Sequence, residues 1–131
     1  MTIQDVITFV HEQRAARPNA NIMRRWSDND IAYHVARGIA DNAFGYVVTG
    51  GKISGIAFGY PRHNEKVLDV VQVVCASSRD LAHLLLLFNT QFPNWKLRGR
   101  RNKKPLEKQL NFYGDVGKLL HKTQVFALAH S

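Results

Sequence analysis

The chain has 131 residues, of which 45% are hydrophobic, and it carries a formal net charge of +8. This length suits one folded domain, and the hydrophobic content excludes wholesale disorder. The excess of positive charge favours polyanionic partners, although a basic surface can also serve solubility alone. A single cysteine excludes an internal disulfide, and we expect a reducing compartment such as the cytoplasm. No apolar stretch approaches the ~20 residues of a membrane span, and the first residues do not resemble a signal peptide.

Two amphipathic helices are predicted in the first third of the chain. Residues 2–15 repeat apolar side chains at helical spacing, and Thr2 with Asp5 forms the pattern of an N-terminal capping box. Ser27 with Asp30 repeats that pattern ahead of a second apolar helical stripe. The intervening residues, rich in Pro and Asn, indicate a loop.

A β-hairpin is predicted next. Phe44–Val48 and Ile53–Tyr60 are rich in β-branched and aromatic residues, and Gly50–Gly51 lies in the turn between them. Glycine pairs favour the tight turns of hairpins because such turns need positive φ angles. Gly55 and Gly59 share one face of the second strand, which we expect to admit a close neighbour or a ligand.

The segment 66–93 is the centre of the predicted fold. Residues 67–76 are apolar without clean alternation, which is typical of a strand covered on both faces. Residues 79–92 have a broad apolar helical stripe, which predicts a helix buried nearly all round. A buried strand that turns sharply into a helix is a place where α/β folds bind anions.

A half-exposed strand is predicted from the alternation of apolar and basic residues at 95–100. A third helix is predicted to begin at Pro105, to include Tyr113 and to end at Gly114, with a final strand over Gln124–Ala129. The order α, α, β, β, β, α, β, α, β predicts an α/β (α+β) fold, in which one mixed sheet carries helices on both faces within a single domain.

This order of elements, from about Ser27 onward, resembles the GNAT N-acetyltransferase superfamily. Two local features carry the resemblance: the apolar strand ending at Val73-Val74-Cys75-Ala76, and Leu110-Asn111-Phe112-Tyr113-Gly114, which is similar to a late-helix pattern of the family. Small GNAT-like chains, some of them internal virion components, are encoded by bacteriophages, and this chain is similar in size.

The resemblance implies acetyl-CoA as the cofactor and an amine as the acceptor. The strand backbone would pair with the pantetheine arm, the turn after it would hold the pyrophosphate, and Tyr113 would protonate the departing thiolate. The implied cofactor-binding residues are Val73, Val74, Cys75, Ser77, Ser78, Arg79 and Asn111. Asp69, near the start of the strand, is our candidate for the base that deprotonates the amine.

The turn departs from the family pattern, which reads Q/R-x-x-G-x-G/A. Residues 77–82 read Ser-Ser-Arg-Asp-Leu-Ala and contain no glycine, although glycine lets backbone amides approach a phosphate. Ser78 can cap the helix instead, and Arg79 can pair with a phosphate. Asp80 favours a helix start without an anion, because it places negative charge there itself.

Simpler interpretations stay open for the other residues of the implied site. Tyr113 also suits an ordinary core position on a helix, and Ser77 with Ser78 suits an ordinary capped helix start. Cys75 could act as a nucleophile only if its pKa were lowered, and otherwise it suits a buried thiol. The six histidines lack metal-ligand spacing, so no metal site is predicted.

A basic cluster is the strongest charge feature of the sequence. Its members are Lys96, Arg98, Arg100, Arg101, Lys103 and Lys104. Such a cluster can follow a nucleic-acid backbone, contact the 3′-phosphate of CoA or an acidic protein, or protect the edge of a sheet. Two hypotheses follow: an acyl-CoA-dependent N-acetyltransferase of unknown acceptor, or an inactive GNAT-like basic binding or structural protein, cytoplasmic or part of a virion.

Overall fold

The computed structural model describes residues 1–20, 22–100 and 111–115, with the backbone alone at Ser78, 99–100 and 111–115. Within these residues the chain forms three helices and five strands. In chain order they are α1 (Ile3–Ala16), α2 (Asp28–Ala40), β1 (Phe44–Thr49), β2 (Lys52–Arg62), β3 (Val67–Cys75), α3 (Ser78–Gln91), β4 (Lys96–Arg100) and β5 (Asn111–Asp115).

Both predicted capping boxes are confirmed. The Asp5 amide donates to Thr2 Oγ1 (3.1 Å), while the Thr2 amide donates to Asp5 Oδ2 (2.8 Å). Ser27 and Asp30 exchange the same two bonds at 3.1 and 2.8 Å at the start of α2. Each box satisfies backbone amides that the first helical turn leaves unpaired, so these helices begin where the sequence predicts.

The sheet has the strand order β1-β2-β3-β4-β5. The pairs β1–β2, β2–β3 and β4–β5 are antiparallel, whereas β3 and β4 are parallel and joined by α3. The predicted mixed sheet, with β3 in its interior, is therefore confirmed. The predicted hairpin is confirmed as well, because Gly50 and Gly51 have φ angles of 60° and 80° in its turn.

Helices cover the two faces of the sheet separately. Val6, Val10, Ile31 and Val35 of α1 and α2 pack with Ile56, Phe58 and Val74 of the sheet. On the other face, Leu84, Leu85 and Phe88 of α3 pack with Ala57, Leu68 and Leu97. The layer order is therefore helix pair, sheet, helix, and the predicted placement of helices on both faces of the sheet is confirmed.

The prediction that α3 is buried nearly all round is wrong. Leu86 and Leu87 each keep 45% of their surface exposed, because α3 packs against the sheet through one stripe only. The strand β3 is likewise not fully covered, since Val73 is 41% exposed in the middle of the sheet.

The predicted third helix is wrong where the structure describes it. Asn111–Asp115 forms β5, and Tyr113 is the register partner of Arg98 on β4. Short apolar runs fit helical and strand periods about equally, and pairing with the edge of β4 decided this one. The start of that helix at Pro105 and the final strand predicted over Gln124–Ala129 lie outside the described residues.

Candidate functional site at the parallel strand pair

The two parallel strands pair over only three residues. Val67–Asp69 of β3 are the register partners of Lys96–Arg98 of β4. Beyond these partners, β3 continues against β2 as far as Cys75, and β4 continues against β5 as far as Arg100. Among the described residues, the segment Val70–Cys75 therefore has a partner strand on its β2 side alone. The carboxyl ends of parallel strands are the usual place for a ligand in such folds.

Three predicted cofactor contacts lie on this segment. Val73 is 41% exposed, Val74 is 4% exposed, and Cys75 is half-buried. Burial, together with the negative charge of Asp80, raises the pKa of the Cys75 thiol to about 12, while the positive charge of Arg17 acts in the opposite direction. A thiol with this pKa is protonated at neutral pH, so the geometry favours the buried thiol over the nucleophile.

The N-terminus of α3 is occupied by a side chain of its own first turn. Ser77 is the N-cap: its Oγ accepts from the Asp80 amide (3.3 Å) and donates to Asp80 Oδ2 (3.1 Å). Ser54 Oγ of β2 donates to Asp80 Oδ1 (3.0 Å), and Asp80 is only 4% exposed. The proposed cap Ser78 is therefore wrong, and a carboxylate lies where the resemblance implies a pyrophosphate.

Other parts of the chain pack closely against Gly55 and Gly59 of β2. A Cβ atom on Gly55 would lie 3.1 Å from Asp80 Cβ, which shows how closely α3 approaches the strand there. A Cβ atom on Gly59 would lie 2.3 Å from the carbonyl oxygen of Asp69. The close neighbours expected at these two positions are thus α3 and the backbone of β3.

Asp69 accepts hydrogen bonds from two arginines. Arg98 donates from Nη2 to Oδ2 (2.7 Å) and from Nε to Oδ1, and Arg62 Nε donates to Oδ2 (2.8 Å). The hydrogen bonds from Arg98 first, and then from Arg62, hold the pKa of Asp69 below its ordinary value despite partial burial. A carboxylate stabilised in this way is a weak base, so its geometry favours joining β2, β3 and β4 over deprotonating an amine.

The two predicted catalytic residues lie in one row across the sheet. Tyr60, Asp69, Arg98 and Tyr113 are successive register partners on β2, β3, β4 and β5. The topology therefore brings Tyr113 within two strands of Asp69, on a strand rather than at a helix end. The side chains of Tyr113 and of the predicted cofactor residue Asn111 lie outside the described residues.

Sequence reasoning missed an aromatic and imidazole cluster beside this row. His34 Nδ1 and Tyr60 Oη are 2.6 Å apart, and the rings of His34 and Trp26 stack with centroids 4.4 Å apart. Arg37 Cζ lies 4.4 Å from the centroid of the Tyr60 ring. Positions 34 and 60 lie on different elements, so no local spacing in the sequence signals their contact.

A cleft of about 340 Å³ lies between α1 and the β1–β2 hairpin. Polar side chains in its lining are those of Asp5, Thr8, Glu12, Tyr46 and Lys52. Asp5 also caps α1, and the hydrogen bonds from Thr2 hold the pKa of Asp5 below its ordinary value. The lining also includes the N-terminal residue Met1, so the carboxylates of Asp5 and Glu12 lie with the cationic groups of Met1 and Lys52 and the charges of the cleft largely balance.

The basic cluster is only partly described. Leu97 is 3% exposed between the exposed Lys96 and the half-buried Arg98, which confirms the predicted alternation of β4. Arg98 is held by Asp69, and its Nη2 lies 3.9 Å from Glu65 Oε2, so part of the positive charge is compensated. The side chain of Arg100, and the residues Arg101, Lys103 and Lys104, lie outside the described part.

No protein-family model, curated protein or solved structure matches this chain. Among the described residues, no group of three or more His, Cys, Asp or Glu side chains could hold a metal ion. None of the described helices combines the length and apolar character needed to cross a membrane.

Proposed function

We propose that this chain is a GNAT-like N-acetyltransferase that binds acyl-CoA beside β3 and transfers the acyl group to an amine. The observation that carries the proposal is the parting of β3 and β4 after Asp69. A strand that lacks a neighbour on one side offers backbone N–H and C=O groups to an extended ligand, which then binds as an added strand. The pantetheine arm of acyl-CoA contains two amides and suits this position beside Val73, Val74 and Cys75.

Two arginines support binding of the CoA phosphates at this end of β3. Arg79 is exposed in the first turn of α3, where a positive charge opposes the helix dipole, and it has no carboxylate partner among the described residues. Arg17 lies close enough to Cys75 for its charge to influence the thiol. The positive charges of these two residues would offset part of the repulsion between the Asp80 carboxylate and a bound phosphate.

The proposed reaction follows from the chemistry of a thioester. The amine nitrogen attacks the carbonyl carbon, the C–S bond breaks, and the acyl group remains on nitrogen while CoA leaves as a thiolate. Tyr113 is proposed to protonate the sulfur. Because Asp69 is a weak base, we assign the proton released by the amine to His34, whose imidazole contacts Tyr60 in the same row. The cleft between α1 and the β1–β2 hairpin is the proposed approach of the amine.

Ligand-dependent stability tests this proposal. Acetyl-CoA at 100 times its Kd should stabilise the protein by about 2.7 kcal/mol, because it binds the folded state alone. The fragment 3′-phosphoadenosine 5′-diphosphate lacks the pantetheine arm and should stabilise it less. Arg79→Ala should weaken the effect of acetyl-CoA, whereas Arg24→Ala, another exposed arginine, should not. Equal stabilisation by both ligands, or none by millimolar acetyl-CoA, would overturn the proposal.

A second candidate is an inactive GNAT-like basic protein that binds a polyanion or serves a structural role, for example in a virion. The position of Asp80 favours it, because the carboxylate already fills the N-terminus of α3. Under this alternative, heparin should raise the melting temperature while acetyl-CoA leaves it unchanged. Charge reversal at Lys103 and Lys104 should then reduce the heparin effect.

A further inference from the structure

Two turns meet at the end of the sheet opposite the proposed acyl-CoA site. The β2–β3 turn and the α3–β4 turn lie side by side, because the Lys96 amide donates to the Lys66 carbonyl oxygen (3.0 Å). Both turns precede the first paired residues of β3 and β4, Val67 and Lys96. They therefore lie at the amino ends of the parallel strands, whereas the parting of the strands lies toward the carboxyl ends.

Aromatic rings lie on this end surface. The rings of His63 and Trp95 have centroids 5.1 Å apart and planes at 85°, and Trp95 packs in turn on Phe92 at 4.8 Å. His63 is exposed and Trp95 is half-buried. The contact with Trp95, which packs on the buried Phe92, restricts the ring of His63 at the surface and so lowers the entropy lost when a flat ligand stacks on it.

Cationic residues adjoin both rings along the chain. Lys66 and Lys96 are exposed, and the side chain of Arg62 is 58% exposed although its Nε bonds to Asp69. Glu65 is the one exposed carboxylate among the described residues of these two turns. The surface therefore combines an excess of positive charge with an exposed ring, which is the combination that binds single-stranded nucleic acid.

We propose that this end surface, formed by Arg62, His63, Lys66, Trp95 and Lys96, binds single-stranded nucleic acid. The cations contact successive phosphates, and an unpaired base stacks on the His63 ring beside Trp95. A duplex keeps its bases stacked on one another, so it offers this surface phosphates alone. The inference goes beyond the proposed acetyl transfer and does not depend on it, because the two sites use opposite ends of β3.

Fluorescence anisotropy with a labelled twelve-residue thymidine oligonucleotide tests the inference at several salt concentrations. Lys66→Glu with Lys96→Glu should lower the affinity at least tenfold and should reduce the salt dependence by about 0.7 per lost phosphate contact. His63→Ala should lower the affinity about tenfold, within the range for loss of one stacked base. Lys52→Glu reverses an exposed lysine at the start of β2, beside the hairpin turn at the other end of the sheet, and should change the affinity little.

A heparin fragment of similar charge and a duplex of the same length separate stacking from simple charge attraction. His63→Ala should weaken oligonucleotide binding and leave heparin binding unchanged. The inference is overturned if the oligonucleotide does not bind at low salt, if the duplex binds as tightly, or if His63→Ala has no selective effect. Acetyl-CoA stabilisation, measured on the His63 variant and on the Lys66 and Lys96 double variant, should not change, so failure at one site is distinguishable from failure at the other.

Discussion

The Asp80 carboxylate gives the sharpest test of the fold at the proposed site. It is 4% exposed, accepts from Ser54 Oγ and Ser77 Oγ at 3.0 and 3.1 Å, and lies in the first turn of α3. The variant Asp80→Asn keeps the shape of the side chain and removes its charge. Any loss of stability then reports the charge and its hydrogen bonds rather than a cavity.

The expected loss in the free energy of unfolding can be calculated from these contacts. A hydrogen bond to a charged group contributes about 1 kcal/mol more than a neutral one, and Asp80 accepts two from serine hydroxyls. Interaction with the N-terminal dipole of α3 adds roughly 0.3–1 kcal/mol, and relief of the desolvation cost offsets part of the sum. The net loss should be about 1–3 kcal/mol, or a fall of roughly 4–12 °C in Tm for a chain of this size.

Urea and thermal unfolding followed by circular dichroism measure this loss. The matched control is Asp28→Asn, which changes an exposed aspartate in the first turn of α2 and should cost at most about 1 kcal/mol. Equal losses in the two variants would refute the reasoning, because burial and the serine bonds would then contribute nothing. If acetyl-CoA binds as proposed, Asp80→Asn should also bind it more tightly, since negative charge near the phosphates is removed.

Three further predictions concern other positions. Asp69→Asn should lower the free energy of unfolding by roughly 1–3 kcal/mol above pH 5. Because Arg98 lowers the pKa of Asp69 in the folded state, the difference from wild type in denaturation curves should shrink as the pH falls below 3.8. A difference that does not depend on pH would exclude the charge pairing. Gly59→Ala should lower the free energy of unfolding in urea by about 3 kcal/mol or more, because a backbone oxygen blocks the new Cβ. Gly45→Ala should lower it by under about 1 kcal/mol, because the new Cβ meets chiefly the movable tips of Leu84 and Leu87, and similar losses would contradict the packing. Cys75, the one thiol, should react with a disulfide reagent at pH 8 at least about 100-fold more slowly in the native protein than in urea, and a fast native reaction would show that its pKa is not raised.

The elements with local signals were predicted well. Ser27 with Asp30 marks the start of α2 through bonds between residues three apart, and Gly50–Gly51 marks a turn through its own backbone freedom. Such signals depend on neighbours in sequence, so no tertiary information is needed to interpret them. The apolar run of β3 likewise indicated a strand inside the sheet, because a run of adjacent β-branched residues without alternation is typical of a strand that other elements cover on its faces.

The candidate site was predicted less well because its geometry depends on distant pairs. Asp69 was predicted as a base, yet Arg98, 29 positions later, determines its chemistry by bonding both carboxylate oxygens. The contact between His34 and Tyr60 spans 26 positions and leaves no periodic signal. Tyr113 has a helical pattern in a short run, and its pairing with β4 places it on a strand instead.

The amino-acid sequence by itself determined the two capped helices, the hairpin and the strand–turn–helix segment at the centre of the sheet, because short-range hydrogen bonding and apolar period specify each of them. The tertiary structure alone decided that the pairing of β3 with β4 ends at Asp69 and that the Asp80 carboxylate accepts a hydrogen bond from Ser54. It also brought His63 against Trp95. Each of these arrangements arises where segments far apart in sequence meet, and their free energy depends on register and burial that no local pattern contains.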